Sequence, residues 1–136
     1  MSNTANIPPA ILEALLRARK SAYAPYSNFH VAAVAVSADG RAFPGCNVET
    51  AHYKSICAEA SAISAMVGAG QRELACMYIL GPGTRTCPPC GDCRQRIHEF
   101  AGAGTRVVLV DDDGCELEQF SVDALLPRAF GPDSLA

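Results

Sequence analysis

The spacing of apolar residues along the chain predicts an alternation of helices and strands. Apolar and small residues recur at helical intervals in three long segments, which are residues 8–23, 57–67 and 90–100. Short β-branched and apolar runs predict five strands, at residues 30–36, 41–47, 74–80, 106–110 and 115–120. Ser121 is a candidate N-cap for a short last helix that Pro127 ends. The run 30–36 is apolar at nearly every position, which indicates a strand covered on both faces.

Two connections are too short for anything except a hairpin. Asp39-Gly40 joins the first two strands, and the segment 111–114 joins the last two. Gly102 and Gly104 are expected to end the third helix before the fourth strand. The pattern therefore predicts an α/β fold with one mixed five-stranded sheet flanked by helices, its last two strands antiparallel. We expect a single domain over residues 1–136, with residues 1–7 as a loose N-terminal tail.

Composition and charge limit the classes of function. The chain of 136 residues carries a formal net charge of −3 and has no Lys/Arg-rich stripe, so a long nucleic acid is not an expected partner. No apolar run is long enough to cross a membrane, and the first residues do not resemble a signal peptide, so we expect a cytoplasmic protein. An odd count of seven cysteines argues against a disulfide framework and favours metal binding or redox chemistry. A small, weakly charged substrate fits this balance best.

Three of the cysteines occupy predicted helix starts. Cys57 opens the second helix, and Cys90 and Cys93 open the third. The N-terminus of a helix lowers the cost of forming a thiolate through its dipole and its unpaired N–H groups. Three protein ligands with one open position are typical of catalytic zinc, and Glu59 is placed to take a proton from a water held there.

Cys87 leaves two other interpretations open. As a fourth ligand it would close the site and make it a structural zinc module without catalysis. Paired with Cys90 it would form a thioredoxin-like redox couple. The simplest interpretation places Cys87 in a loop beside the site. His98 is expected on the surface of the third helix.

Several motifs together resemble the small homotetrameric zinc-dependent cytidine deaminases. The resemblance runs over residues 10–131 and includes the zinc-binding deaminase signature. The matching segments are Pro25-Tyr26-Ser27-Asn28-Phe29-His30-Val31, Gly45-Cys46-Asn47-Val48-Glu49, Cys57-Ala58-Glu59, Pro89-Cys90-Gly91-Asp92-Cys93-Arg94-Gln95 and Leu125-Leu126-Pro127-Arg128-Ala129-Phe130.

The resemblance implies a three-layer fold, a Zn²⁺ cofactor and a role for each matched residue. Cys57, Cys90 and Cys93 correspond to the zinc ligands, and Glu59 corresponds to the proton shuttle for a water activated by zinc that attacks C4 of cytosine. The residues that correspond to substrate contacts are Phe29 against the pyrimidine, Asn47 and Glu49 on the ribose, the backbone of Ala58, and Tyr53 and Phe130 in sites shared between subunits. The implied reaction converts cytidine and 2′-deoxycytidine to uridine and 2′-deoxyuridine in pyrimidine salvage.

The chain departs from this family's pattern at two places. Ala60 stands where many tetrameric members have an arginine next to the glutamate, and such a cation would offset the charge of three thiolates. Lys54 and Arg94 are the candidate substitutes for that charge. His52 and Lys54 are bulkier than the usual residues of their loop, which leaves another aminopyrimidine nucleoside, of the blasticidin type, as an alternative substrate.

Overall fold

The computed structural model describes residues 6–136 and shows a sheet covered by helices on both faces. The helices are α1 (Pro9–Ser21), α2 (Ala58–Gly68), α3 (Gly91–Phe100) and α4 (Val122–Leu125), and a 3₁₀ turn follows at Pro132–Leu135. The strands are β1 (Ala32–Ser37), β2 (Ala42–Cys46), β3 (Leu74–Leu80), β4 (Ala101–Val110) and β5 (Glu116–Ser121). Within the described part of the chain, no helix has the length and apolar character that crossing a membrane requires.

The strand order β2-β1-β3-β4-β5 brings the starts of α2 and α3 to one edge of the sheet. β1 pairs antiparallel with both β2 and β3, so β2 and β3 run in the same direction. Their carboxyl ends therefore lie at the same edge, and the segments that lead into α2 and α3 leave from there. β3 and β4 are parallel, and β4 and β5 form the predicted antiparallel pair.

The interior strand β1 is covered on both faces, as its continuous apolar run predicted. Ala33 and Ala35 pack into the cluster formed with α2, α3 and α4, whereas Ala32 and Val34 pack into the cluster beneath α1. The fold therefore has three layers, with α1 on one side of the sheet and the other helices on the opposite side. The predicted mixed five-stranded α/β fold is confirmed.

Small residues let α2 lie unusually close to the edge of the sheet. A Cβ built on Gly45 would lie 2.4 Å from the backbone N of Ala62 and 2.7 Å from the carbonyl oxygen of Ala58. Only a residue without a side chain permits this approach. Gly45 thereby fixes the position of the first turn of α2.

Two boundaries differ from the sequence-based expectation. β4 begins at Ala101, so Gly102 and Gly104 lie inside the strand and are not the end of α3. The buried hydroxyl of Thr105 accepts from the Gly102 N–H at 2.8 Å and donates to the Leu74 carbonyl at 2.5 Å, which ties this early part of β4 to β3.

The second difference concerns the N-terminal segment. Residues 1–5 of the predicted loose tail lie outside the described residues. Residues 6 and 7 do not fit that prediction, because Asn6 pairs with Cys115 and the Ile7 N–H donates to the Gly114 carbonyl at 2.9 Å. Ile7 is also buried beneath α1, since its side chain completes the apolar cluster there.

Candidate active site

The N-termini of α2 and α3 present three thiols to one point. Cys57 is the N-cap residue of α2 and Cys90 is the N-cap residue of α3, both with extended backbone angles, while Cys93 lies in the first turn of α3. Their Sγ atoms all lie within 4.8 Å of one another, and those of Cys57 and Cys90 are 3.7 Å apart. The structure thus brings together the three cysteines that the sequence singled out.

The thiol spacing fits tetrahedral zinc. Two sulfur ligands at about 2.3 Å from a tetrahedral ion are about 3.8 Å from each other, which matches the separation of the Cys57 and Cys90 sulfurs. Among residues 6–136, the cluster of possible ligands consists of these three cysteines and excludes Cys87. Three thiolates are a donor set that suits zinc and leave one coordination position for a water or a substrate.

Two of the three thiols, Cys57 and Cys93, have raised pKa values that favour the protonated form without a metal. Burial is the main cause that raises the pKa of Cys57 to about 11, and the neighbouring Cys90 adds to it. Burial also raises the pKa of Cys93 strongly, with Glu59 and the other two thiols contributing. A divalent cation reverses this balance, because it stabilises the thiolates directly.

Glu59 lies beside the thiols in the first turn of α2. Its side chain is only 4% exposed. Burial raises its carboxyl pKa above the ordinary value, and hydrogen bonds from its own backbone N–H and then from Cys93 partly oppose that shift. A carboxyl group with a raised pKa can both accept and return a proton near neutral pH, which is what a general acid–base group requires.

A cavity of about 200 Å³ adjoins the thiols. The predicted site residues that line it are Phe29, Asn47, Cys57, Ala58, Glu59 and Cys90, and its walls also include Val31, Cys87 and Pro88. The sequence reasoning placed Cys87 outside the site, but the thiol forms part of the cavity wall without joining the metal cluster. Its pKa is raised to about 11, chiefly by burial.

Asn47 and Glu49 hold the loop that presents Phe29. The Asn47 side chain accepts from the Val31 N–H at 2.9 Å and donates to the Phe29 carbonyl at 2.7 Å. The Glu49 carboxylate accepts from the Tyr26 N–H at 3.0 Å and from both the N–H and the hydroxyl of Ser27. The Ser27 hydroxyl is the main cause that lowers the Glu49 pKa, so the group stays ionised. Ser27 lies in a matched segment, but no role was predicted for it.

Three of the predicted substrate residues do not line the cavity of their own chain. Glu49 lies behind the loop that carries Phe29. Tyr53 is 89% exposed and adopts a positive φ of 62°, and Phe130 is 59% exposed. Exposed aromatic rings of this kind are common at contacts with partners.

Of the two candidate substitutes for the missing arginine, Lys54 is exposed and Arg94 is bound to backbone carbonyls. Arg94 donates from Nε to the Pro89 carbonyl at 2.8 Å and from Nη1 to the Leu125 carbonyl at 3.0 Å, so its guanidinium group serves the backbone. Within the described residues, the groups that shift the pKa values of Cys57 and Cys93 include no cation. Ala60 is buried at the edge of a second cavity, of about 660 Å³, which lies between α2 and α3.

Residues 8–110 match the family model described as the cytidine and deoxycytidylate deaminase zinc-binding region. The chain belongs to this family. Its zinc-binding character agrees with the thiol geometry, and the predicted Zn²⁺ cofactor and deaminase class are confirmed at that level.

Known cytidine deaminases are similar to this family member over nearly its whole length. The cytidine deaminase of Halalkalibacterium halodurans is 34% identical over 126 residues, which cover 92% of this chain and 95% of that protein. The crystal structure of cytidine deaminase from Burkholderia pseudomallei is 40% identical, with a TM-score of 0.81 over 96% of this chain and all of that one. The Mycobacterium tuberculosis enzyme is 32% identical, with a TM-score of 0.78 over 90% of this chain and 95% of that one.

Proposed function

We propose that this deaminase hydrolyses cytidine and 2′-deoxycytidine to uridine and 2′-deoxyuridine with release of ammonia, as a step of pyrimidine salvage. The observation that carries the proposal is the convergence of three thiols and a buried carboxyl group on one cavity. A closed four-thiol module is not favoured, because Cys87 stands outside the thiol cluster.

Cys57, Cys90 and Cys93 would hold the zinc, which would supply a Lewis acid for the activation of a water that attacks C4 of the cytosine ring. Glu59 accepts the proton that the water loses and delivers it to N3, and then takes the proton of the new C4 hydroxyl and passes it to the exocyclic amine. The C4–N bond then breaks, so that one water is consumed and one ammonia leaves for each nucleoside. The position of Glu59 in the first turn of α2, buried against the cavity, suits this shuttle.

The remaining residues orient the nucleoside. Phe29 offers an aromatic face to the pyrimidine, and the backbone at Ala58 offers polar groups to the ring. Asn47 and Glu49 are proposed to bind the ribose hydroxyls. The position of Asn47 in the cavity wall supports its role. The role of Glu49 is proposed from the motif Asn47-Val48-Glu49, since its carboxylate is bound by Tyr26 and Ser27 behind the Phe29 loop.

We further propose that the site is completed by other copies of the chain in a homotetramer. The cavity of about 200 Å³ is smaller than the roughly 300–1,000 Å³ of typical small-molecule sites, so one chain encloses only part of a nucleoside. Tyr53 and Phe130 are the exposed rings proposed to reach a neighbour's cavity. Light scattering should give about four times the 14.3 kDa of one chain, and a monomer that is fully active would contradict the shared site.

We propose a cytoplasmic location and a single-domain organisation for this chain. The seven cysteines form no disulfide within the described residues, which supports a reducing, cytoplasmic compartment. The net charge of −3 supports a free nucleoside over a nucleic acid polymer as substrate. Residues 1–136 are proposed to form one domain.

A substrate series on the zinc-loaded protein tests the proposal. Cytidine and deoxycytidine should lose absorbance and release ammonia, and free cytosine should react far more slowly because it lacks the ribose that Asn47 and Glu49 bind. Blasticidin S serves as the comparison for the alternative aminopyrimidine. Turnover of blasticidin S with none of cytidine would replace the proposed substrate, and turnover of neither would reject the reaction.

A further inference from the structure

Helix α3 contacts the C-terminal segment at three successive points after the two cysteines. Arg94 Nη1 donates to the Leu125 carbonyl at 3.0 Å, and Gln95 Nε2 donates to the Phe130 carbonyl at 2.7 Å. One turn later, His98 packs on Gly131, where an added Cβ would lie 3.0 Å from the imidazole Cε1. His98 is therefore half-buried, with its Nδ1 atom inaccessible to solvent, and not the surface residue that the sequence indicated.

The chain path around Phe130 is shaped on both sides. Arg128 has a φ of 54°, a left-handed conformation that turns the backbone two residues before Phe130. After Phe130, the Gly131 N–H donates to the Ser134 hydroxyl at 3.2 Å and the Ser134 N–H donates to the Gly131 carbonyl at 2.9 Å. The hydrogen bond from Gln95 lies between these two turns and is the polar contact from α3 that reaches residue 130 itself.

Phe130 thus has a fixed backbone and a free ring. Its carbonyl is bound by Gln95, whereas its side chain is 59% exposed and does not line its own cavity. Exposing an aromatic ring to water is unfavourable, and fixing its backbone costs conformational entropy as well. A bound backbone and an exposed ring are expected together where the ring contacts a group outside its own chain.

We propose that Gln95 is a positioning residue that holds Phe130 ready to contact a ligand in the site of another copy. The His98–Gly131 packing supports the same segment from the next turn of α3. Cys90 and Cys93 lie at the start of this helix, so α3 positions two of the metal ligands as well as the backbone that carries the Phe130 ring. The kinetic consequence rests on the proposed function, whereas the structural consequence does not.

A single tryptophan tests the structural consequence without any assay of activity. The chain contains no tryptophan, so Phe130→Trp introduces the one indole fluorophore. In that background, Gln95→Met keeps the side-chain length and removes the amide donor. We expect lower anisotropy and at least twofold stronger acrylamide quenching of the residue-130 fluorescence. Arg96→Gln is the matched control, because Arg96 is an exposed neighbour on α3 that pairs with Asp92. Equal anisotropy and quenching in the Gln95→Met and control proteins would overturn the proposal.

A double-mutant cycle tests the kinetic consequence. Gln95→Met should raise KM for cytidine several-fold with kcat, zinc content and melting temperature nearly unchanged, and Phe130→Ala should raise KM further. Because Gln95 acts through the ring, Gln95→Met should have no additional effect in the Phe130→Ala background. Full multiplication of the two effects would overturn the positioning role. Failure to deaminate cytidine at all would refute the proposed function, and the fluorescence result would still decide the role of Gln95.

Discussion

The sulfur atoms of Cys57 and Cys90 lie 3.7 Å apart, although 33 positions separate the two residues in the chain. Each cysteine is the N-cap of a different helix, and the two helices start at the same edge of the sheet because β2 and β3 run in one direction. The metal site is therefore a product of the sheet topology, and its ligand spacing depends on how firmly α2 and α3 rest on the sheet.

Zinc uptake should depend steeply on pH. The pKa of the Cys57 thiol is raised to about 11 and that of Cys93 is raised as well, so both remain protonated at neutral pH in the metal-free protein. Binding must then displace at least these two protons, so the apparent affinity should rise on the order of 100-fold or more per pH unit. Competition with a chelator of known affinity between pH 6.5 and 7.5 measures this slope, and a flat profile would contradict it.

Two cysteine variants serve as controls for the same titration. Cys93→Ala removes one member of the thiol cluster and should abolish stoichiometric zinc binding. Cys87→Ala alters only the cavity wall and should retain about one zinc per chain with the same pH slope. Loss of zinc in Cys87→Ala would show a four-thiol site instead.

Ala60→Arg should move the acid limb of the activity profile. A cation near three thiolates favours the deprotonated form of the hydrolytic water, so its pKa falls and the acid limb of kcat/KM shifts to lower pH by about one unit. Ala60→Gln adds a long side chain without charge and separates this effect from filling of the cavity between α2 and α3. A profile for Ala60→Arg that coincides with that of Ala60→Gln would show that charge at residue 60 does not tune the site.

Gly45→Ala should destabilise the fold by at least about 2 kcal/mol, since the new Cβ would lie 2.4 Å from the Ala62 N atom and neither backbone can easily yield. Gly102→Ala is the matched control, because a Cβ there meets no atom within 4 Å. Thermal unfolding of both variants measures the difference. A melting temperature for Gly45→Ala equal to that of the control would mean that α2 shifts without cost.

The sequence predicted elements well where one local signal decided the outcome. The bounds of β3 were predicted correctly because Leu74 to Leu80 is a single apolar run. Ser121 was predicted correctly as an N-cap from its residue type and position, and its hydroxyl accepts from the Ala124 N–H. The end of α3 at Phe100 was predicted correctly, but Gly102 and Gly104 misled the start of β4, which was placed at Arg106, because glycine does not by itself exclude a strand. Here Thr105 binds both strands and extends β4 back to Ala101.

The site residues also divide into those with a local sequence signal and those that depend on contacts between segments. The motif singled out Cys57, Cys90, Cys93 and Glu59, and the structure brings the three thiols together beside the buried Glu59. The wall formed by Cys87, the Ser27 contact to Glu49 and the Gln95 contact to Phe130 all depend on three-dimensional packing between segments. A one-dimensional pattern does not encode such contacts.

Glu59→Gln tests the central claim most directly. The amide keeps the shape of the buried side chain but carries no exchangeable carboxyl proton, so zinc content should stay at about one per chain while kcat for cytidine falls by about 10²–10⁴-fold. Glu73→Gln makes the same chemical change at an exposed position and should leave both quantities unchanged. A Glu59→Gln protein that retains zinc and releases ammonia from cytidine at the full rate would contradict the assignment of Glu59 as the proton shuttle of a zinc-dependent deaminase.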